Sequence, residues 1–139
     1  MELITDEVFR NNVEGEQNML DPFRWDHVER FGVDLTAGEH CVNVTKAETV
    51  RLGEAQELEV RPGDFVIVDT DEYLRVPDSC LGLLLPKVSL MLRGLSQSGG
   101  KVDPGFRGRL RVALKNEGYE VVKLKRGEPI CNVAFWRIQ

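Results

Sequence analysis

The stretch Lys101-Val102-Asp103-Pro104-Gly105-Phe106-Arg107-Gly108 runs straight into Arg109-Leu110-Arg111-Val112-Ala113-Leu114-Lys115-Asn116. The second half alternates: Leu110, Val112 and Leu114 face one way, and Arg109, Arg111, Ala113 and Lys115 the other. A period of two predicts a strand with one buried face. The first half has no such period. From Gly99 to Gly108 it carries four glycines and a proline. Glycine lets backbone approach a ligand closely, and exposed backbone N–H groups suit anions. Asp103 stands inside this loop, and the Phe106 ring could pack on a sugar or base. A plain tight hairpin, with Asp103 capping a turn, fits the same residues.

Short strands between turn signals extend on both sides. Arg61-Pro62-Gly63-Asp64 is a turn, and Phe65 to Val68 a buried strand. Tyr73 to Val76 is another strand, ended by Pro77-Asp78, and Leu81 to Leu85 a further apolar run. Val121 to Leu124 leads into the turn Lys125-Arg126-Gly127-Glu128, and the chain closes on Ile130 to Ile138. Residues 5–13 read as a short N-terminal helix, with Thr5 as N-cap and Asp6 and Glu7 at its positive end. Strands at this spacing without helical crossovers predict a mainly all-β fold, an antiparallel sandwich or barrel. With 139 residues, one domain spanning 1–139 is expected.

Composition narrows the function. Hydrophobic residues make up 42% and charged residues 29%, the balance of a globular protein. Net charge is −5, which argues against non-specific binding to nucleic acid or an anionic membrane. No apolar run is long enough to span a bilayer. The N-terminus lacks the pattern of a signal peptide, and Cys41, Cys80 and Cys131 form no disulfide framework. A cytoplasmic location is therefore expected. The His40-Cys41 pair carries metal-ligating types, and we read it as ordinary strand residues.

A second segment carries donors. In Leu85-Pro86-Lys87-Val88-Ser89-Leu90-Met91-Leu92-Arg93-Gly94-Leu95, the side chains of Lys87, Ser89 and Arg93 suit phosphate oxygens. A half-buried strand or short helix with exposed basic residues fits equally.

Taken in order, these segments resemble the dCTP deaminase and dUTPase superfamily over nearly the whole chain. Asp6-Glu7-Val8 through Glu14-Gly15 to Leu20-Asp21-Pro22-Phe23 is similar to the N-terminal segment of dCTP deaminases. Gly32-Val33-Asp34-Leu35 is similar to the first family motif. Arg61-Pro62-Gly63-Asp64-Phe65 and Thr70-Asp71-Glu72 through Pro77 resemble its "PGEF…T-x-E-x-x-x-x-P" stretch. Val102 to Gly108 resembles the "I-D-P-G-aromatic-x-G" loop, and Gly127-Glu128-Pro129-Ile130-Cys131-Asn132 follows in place. The resemblance implies a distorted β-barrel or jelly-roll of the dUTPase-like type. It implies a homotrimer with nucleotide sites at subunit interfaces and Mg²⁺ helping to hold the triphosphate. A deoxypyrimidine nucleotide of the dCTP or dUTP class is the implied ligand. Lys87, Ser89, Arg93, Asp103, Phe106 and Asn132 are the implied binding residues, with no metal ligand on the protein. Asp103 is the one catalytic candidate, matching an Asp that orients water in dUTPases and contacts the sugar in deaminases.

The chain departs from the family at several positions. The phosphate motif Arg-Ser-Ser-Leu-x-Arg reads Lys87-Val88-Ser89-Leu90-Met91-Leu92. Lys87 keeps a charge but loses the bidentate fork, Val88 has no hydroxyl, and Leu92 replaces the second Arg. Ala113 stands where the deaminase general-base Glu is expected, and general-base loss typically costs roughly 10²–10⁴-fold in rate. Asn132 replaces a Gln, and the dUTPase tyrosine is Phe106. The sequence stops at Gln139, where the family continues into a tail that closes over the nucleotide. Two functions follow. One is a nucleotide-binding relative with weakened or lost catalysis, which the joint substitutions favour. The alternative is an active, divergent dCTP deaminase or dUTP diphosphatase using Asp103. A structural β-domain without ligand is a third reading.

Overall fold

A computed structural model describes residues 2–5, 19–53 and 56–138. The helix expected over residues 5–13 lies, apart from Thr5, outside them. The chain is mainly β, as its alternation predicts. The strands are β1 (Glu2–Leu3), β2 (Leu20–Asp21), β3 (Val28–Glu29), β4 (Gly32–Asn43), β5 (Glu48–Arg51), β6 (Glu57–Val60) and β7 (Phe65–Arg75). They continue with β8 (Cys80–Pro86), β9 (Leu95–Gln97), β10 (Gly100–Val102), β11 (Arg107–Asn116), β12 (Val122–Lys125) and β13 (Pro129–Arg137). A 3-10 turn at Trp25–His27 and one α-helical turn, α1 (Val88–Met91), complete the described elements.

The large sheet runs β10-β8-β13-β4-β7-β11-β9, with antiparallel pairs throughout. It curls because β4 belongs to both halves. Its first residues pair with β13, and its last with β7. The β4–β7 register breaks between Ala37 and Cys41. Gly38 lies in that break, where a Cβ would fall 2.8 Å from the Asp69 carbonyl oxygen. Only glycine allows the strands to cross so closely. Strands β6 and β12 form a separate ribbon.

β7 corrects one sequence expectation. Phe65–Val68 and Tyr73–Val76 read as two strands, yet Phe65 to Arg75 is continuous. Thr70 and Glu72 interrupt the apolar pattern while pointing inward, at 0% and 2% exposure. Their polar atoms are satisfied internally. The Thr36 N–H and hydroxyl donate to Glu72 Oε1 and Oε2, each at 2.8 Å. The Thr70 hydroxyl donates to the Glu72 carbonyl at 2.9 Å and accepts the Leu110 N–H at 3.0 Å. That last bond closes a bulge between Arg109 and Arg111 in β11. The strand survives because buried polar groups that find partners need not leave the core.

The core holds Leu35, Val66, Val68, Leu74, Val112, Leu114, Val133 and Phe135 at 2% exposure or less. On β11, Val112 and Leu114 are buried and Arg109, Arg111 and Lys115 exposed, as the alternation predicts. The turns at residues 61–64, 103–106 and 125–128 share one chemistry. Each closes with a bond from the fourth N–H to the first carbonyl, at 2.9, 3.1 and 3.1 Å. Each has a glycine at positive φ in third position: Gly63, Gly105 and Gly127. That is the type II turn, which requires glycine there.

Candidate functional site

Strand register assembles the first corner. Asn132 on β13 lies opposite Asp34 of β4 on one side and Leu85 of β8 on the other. Lys87 follows two residues beyond Leu85, in extended backbone at the start of α1. Its ammonium donates to both Asp34 carboxylate oxygens at 2.8 Å and to Glu29 Oε1 at 3.4 Å. Asp34 Oδ1 also accepts the Asn132 amide at 3.0 Å. Gly32 permits this arrangement, since a Cβ there would collide with Asn132 Oδ1. Burial works against the charged ammonium, but the contacts with Asp34 and Glu29 outweigh it and hold Lys87 above its ordinary value.

Beside this corner opens a cavity of about 410 Å³, lined by Phe31, Leu85, Val88, Lys87, Ser89 and Asn132 among others. Its rim is apolar and open to solvent: Phe31 is 51% exposed and Val88 65%. Three of the six expected binding residues, Lys87, Ser89 and Asn132, therefore meet at one cavity.

The other three lie elsewhere in this chain. Arg93 turns away, giving one N–H to Glu128 Oε1 at 2.6 Å and another to the Lys123 carbonyl at 2.8 Å. Asp103 sits on its turn with an exposed carboxylate, paired with Lys101 at 2.9 Å. The turn is tied down by its backbone: Gly105 N–H donates to the Val76 carbonyl, and Val76 N–H to the Phe106 carbonyl. Phe106 packs its ring against the core. Ala113 lies on the outward face of β11, opposite Ile67 of β7.

His40 and Cys41 point to opposite faces of β4, so they cannot share a metal. Burial, then Asp69, pushes the Cys41 thiol up to about 11. His40 instead lines a second cavity, of about 260 Å³, with Asp69, Asp71, Arg109 and Arg126. Sequence reasoning missed Glu29 and Phe31 at the first cavity. It also missed the pairing of Asp34 with Lys87. Fifty-three positions separate those two, and only the β4–β13–β8 register brings them together.

The family model of dCTP deaminase-like proteins matches residues 3–138. The chain belongs to the dCTP deaminase-like family. Among its relatives is the dCTP deaminase of Thermococcus kodakarensis, 32% identical over 122 residues, covering 87% of this chain and 77% of the relative. The fold matches the 2'-deoxycytidine 5'-triphosphate deaminase of Agrobacterium tumefaciens with a TM-score of 0.82 at 18% identity. That match covers 96% of this chain and 47% of the other, so the dCTP deaminase-like chain spans about half the length of that enzyme. The EIAV dUTPase is similar at a TM-score of 0.60 and 23% identity, over 88% of this chain and 85% of its own. The curled sheet is thus a dUTPase-like fold. Among the described residues, no helix of this family member is long and apolar enough to cross a membrane.

Proposed function

We propose that this dCTP deaminase-like chain is a nucleotide-binding relative within deoxypyrimidine nucleotide metabolism, with catalysis weakened or lost. The observation that carries this reading is Ala113. It occupies the outward face of β11 where the family pattern places the general base, and a methyl group cannot take a proton. Its directly paired cross-strand neighbour is Ile67, which has no group that takes a proton. The substitutions around Lys87 point the same way, because Val88 and Leu92 present apolar surface where hydroxyl and guanidinium are expected. The binding residues in this reading are Lys87, Ser89, Arg93, Asp103, Phe106 and Asn132. A cytoplasmic homotrimer would bring the scattered members together. Exposed Val88, Met91 and Leu92 form an apolar patch beside the cavity, as a surface covered by another copy would. Among the described residues, no group of three or more His, Cys, Asp or Glu is arranged for a metal. In this reading Mg²⁺ helps to hold the triphosphate.

The test is to incubate the protein with dCTP or dUTP and Mg²⁺ and follow ammonia and pyrophosphate release. No turnover above background is expected. Turnover abolished by Asp103→Ala would overturn the reading in favour of an active deaminase or diphosphatase. Light scattering measures the oligomeric state, with a mass of three chains expected.

A further inference from the structure

We infer that the second cavity, walled by β4, β7, β11 and the 125–128 turn, is a binding site for a small phosphate anion. It is separate from the cavity beside Lys87, because no residue lines both. It therefore does not depend on the nucleotide proposed there.

Loosely held arginines mark the site. Arg24, Arg109, Arg111 and Arg126 converge on Asp69 and Asp71 of β7. Arg126 and Arg24 stand 3.8 and 3.7 Å from the Asp71 carboxylate, and Arg111 stands 3.5 Å from that of Asp69. Arg109 gives its Nε–H to the Asp71 backbone carbonyl, at 3.4 Å. Aligned charge-assisted bonds are shorter, about 2.7–2.9 Å. These contacts thus gather the guanidinium groups without using up their five donors each. Arg93 shows the contrast, with bonds of 2.6 and 2.8 Å to Glu128 and the Lys123 carbonyl. Arg51 and Glu39, 3.2 Å apart on the same cavity wall, cancel each other's charge. Even counting the buried Glu72, 3.9 Å from Arg24, cations outnumber carboxylates at this corner of a chain whose net charge is −5.

The wall is also unsatisfied on its own. His40 Nδ1 and Asp69 Oδ1 are buried with no hydrogen-bond partner among the described residues. His40 Nδ1 lies 3.4 Å from the other Asp69 oxygen. Folded chains ordinarily pair such atoms, because leaving them unpaired costs stability. The shape of the donor set selects the anion. Arg109 comes from β11 and Arg126 from the turn, and they meet at Asp71. A tetrahedral phosphate offers oxygens to two guanidinium forks at once, whereas a planar carboxylate offers both of its oxygens to one. Asp71 opposes the incoming charge. Binding therefore requires Arg109 and Arg126 to exchange loose contacts with Asp71 for aligned bonds to phosphate. The cavity, about 260 Å³, is smaller than pockets for drug-sized ligands and suits a compact ion.

Titration of the unmodified chain with inorganic phosphate, followed by backbone amide NMR at fixed ionic strength, tests the inference. Saturable shifts are expected, largest at His40, Asp69, Thr70 and Arg126. Shifts largest at Lys87 to Ser89 would place the ion in the first cavity and overturn the inference, as would no saturable shift. Malonate, a dianion built of two planar carboxylates, should bind about tenfold more weakly than phosphate. Equal affinity would mean that the cavity reads charge alone, and the inference fails. Arg109→Gln and Arg126→Gln should each weaken phosphate by about tenfold, the effect of one charge-assisted hydrogen bond. An unchanged constant in both variants would also overturn it. A chain that binds phosphate in this way but no dCTP would overturn the nucleotide-binding reading and leave this inference intact.

Discussion

Glu72 and Asp103 are both acids set in family-like motifs, and the fold uses them in opposite ways. Glu72 is 2% exposed, and the two groups of Thr36 hold both its oxygens. Asp103 leaves its carboxylate 65% exposed, with Lys101 as its ion-pair partner. The backbone around it is nonetheless fixed, through the 103–106 turn and its bonds to Val76. The difference separates two kinds of motif residue. At Glu72 the side chain is part of the architecture. At Asp103 the backbone is the architecture and the side chain stays available to a ligand.

The largest effect should come from Glu72→Ala. It leaves the Thr36 N–H and hydroxyl buried without acceptors and opens a cavity between β4 and β7. A loss of about 3 kcal/mol is expected, from unsatisfied polar groups and lost packing together. Urea unfolding measures it. A loss below about 0.5 kcal/mol, the range of ordinary surface changes, would mean that Glu72 is not part of the architecture.

Gly32→Ala should come next. Gly32 has φ of 114° and no room for a Cβ beside Asn132 Oδ1. A cost of about 2 kcal/mol is expected from backbone strain and overpacking. The same change should push Asn132 away from Asp34, so dCTP binding should weaken with stability. Full stability in this variant would show that the Asn132 corner yields easily and is not a preformed site.

How much of this was legible in the sequence follows from the same contrast. Local chemistry was readable. The three turns announced themselves by glycine in third position, and β11 by its alternation. Of the six binding residues that motif order suggests, Lys87, Ser89 and Asn132 line one cavity. What the sequence hid were long-range polar pairings. Thr36 with Glu72, and Lys87 with Asp34, depend on strand register, which no local pattern encodes. The hidden pairing of Thr36 with Glu72 is why β7 read as two strands. The pairing of Arg93 with Glu128, on a distant turn, is hidden in the same way.

Glu72→Gln gives a smaller effect whose sign depends on pH. Burial raises the Glu72 carboxyl above its ordinary value, although its hydrogen bonds with Thr36 oppose the shift. A raised folded value means that the folded state favours the protonated acid. The stability this group contributes is therefore fully present below the ordinary carboxylate range, near pH 4.3, and is lost as pH rises through the raised value. Glutamine fits the same space, can keep the bond from the Thr36 N–H, and does not titrate. The unfolding free energy of Glu72→Gln relative to the native chain should thus rise from about pH 4 to about pH 7. A difference that stays flat across that range would show that burial does not shift Glu72.

Asp103→Ala should change stability least. It removes one exposed ion pair, worth about 0–1 kcal/mol in general, and none of the bonds that hold the turn. Pro104 and Gly105 keep their places, and the contacts of Gly105 and Phe106 with Val76 are backbone bonds. The unfolding midpoint should therefore shift by no more than a surface change does, within about 0.5 kcal/mol. Ligand binding should respond separately. If the exposed carboxylate meets a sugar hydroxyl, its loss removes a charge-assisted hydrogen bond and weakens dCTP by about tenfold or more. Unchanged stability with weakened binding would place Asp103 in the site. Unchanged stability with unchanged binding would leave the 103–106 turn as a hairpin whose acid faces only solvent and Lys101.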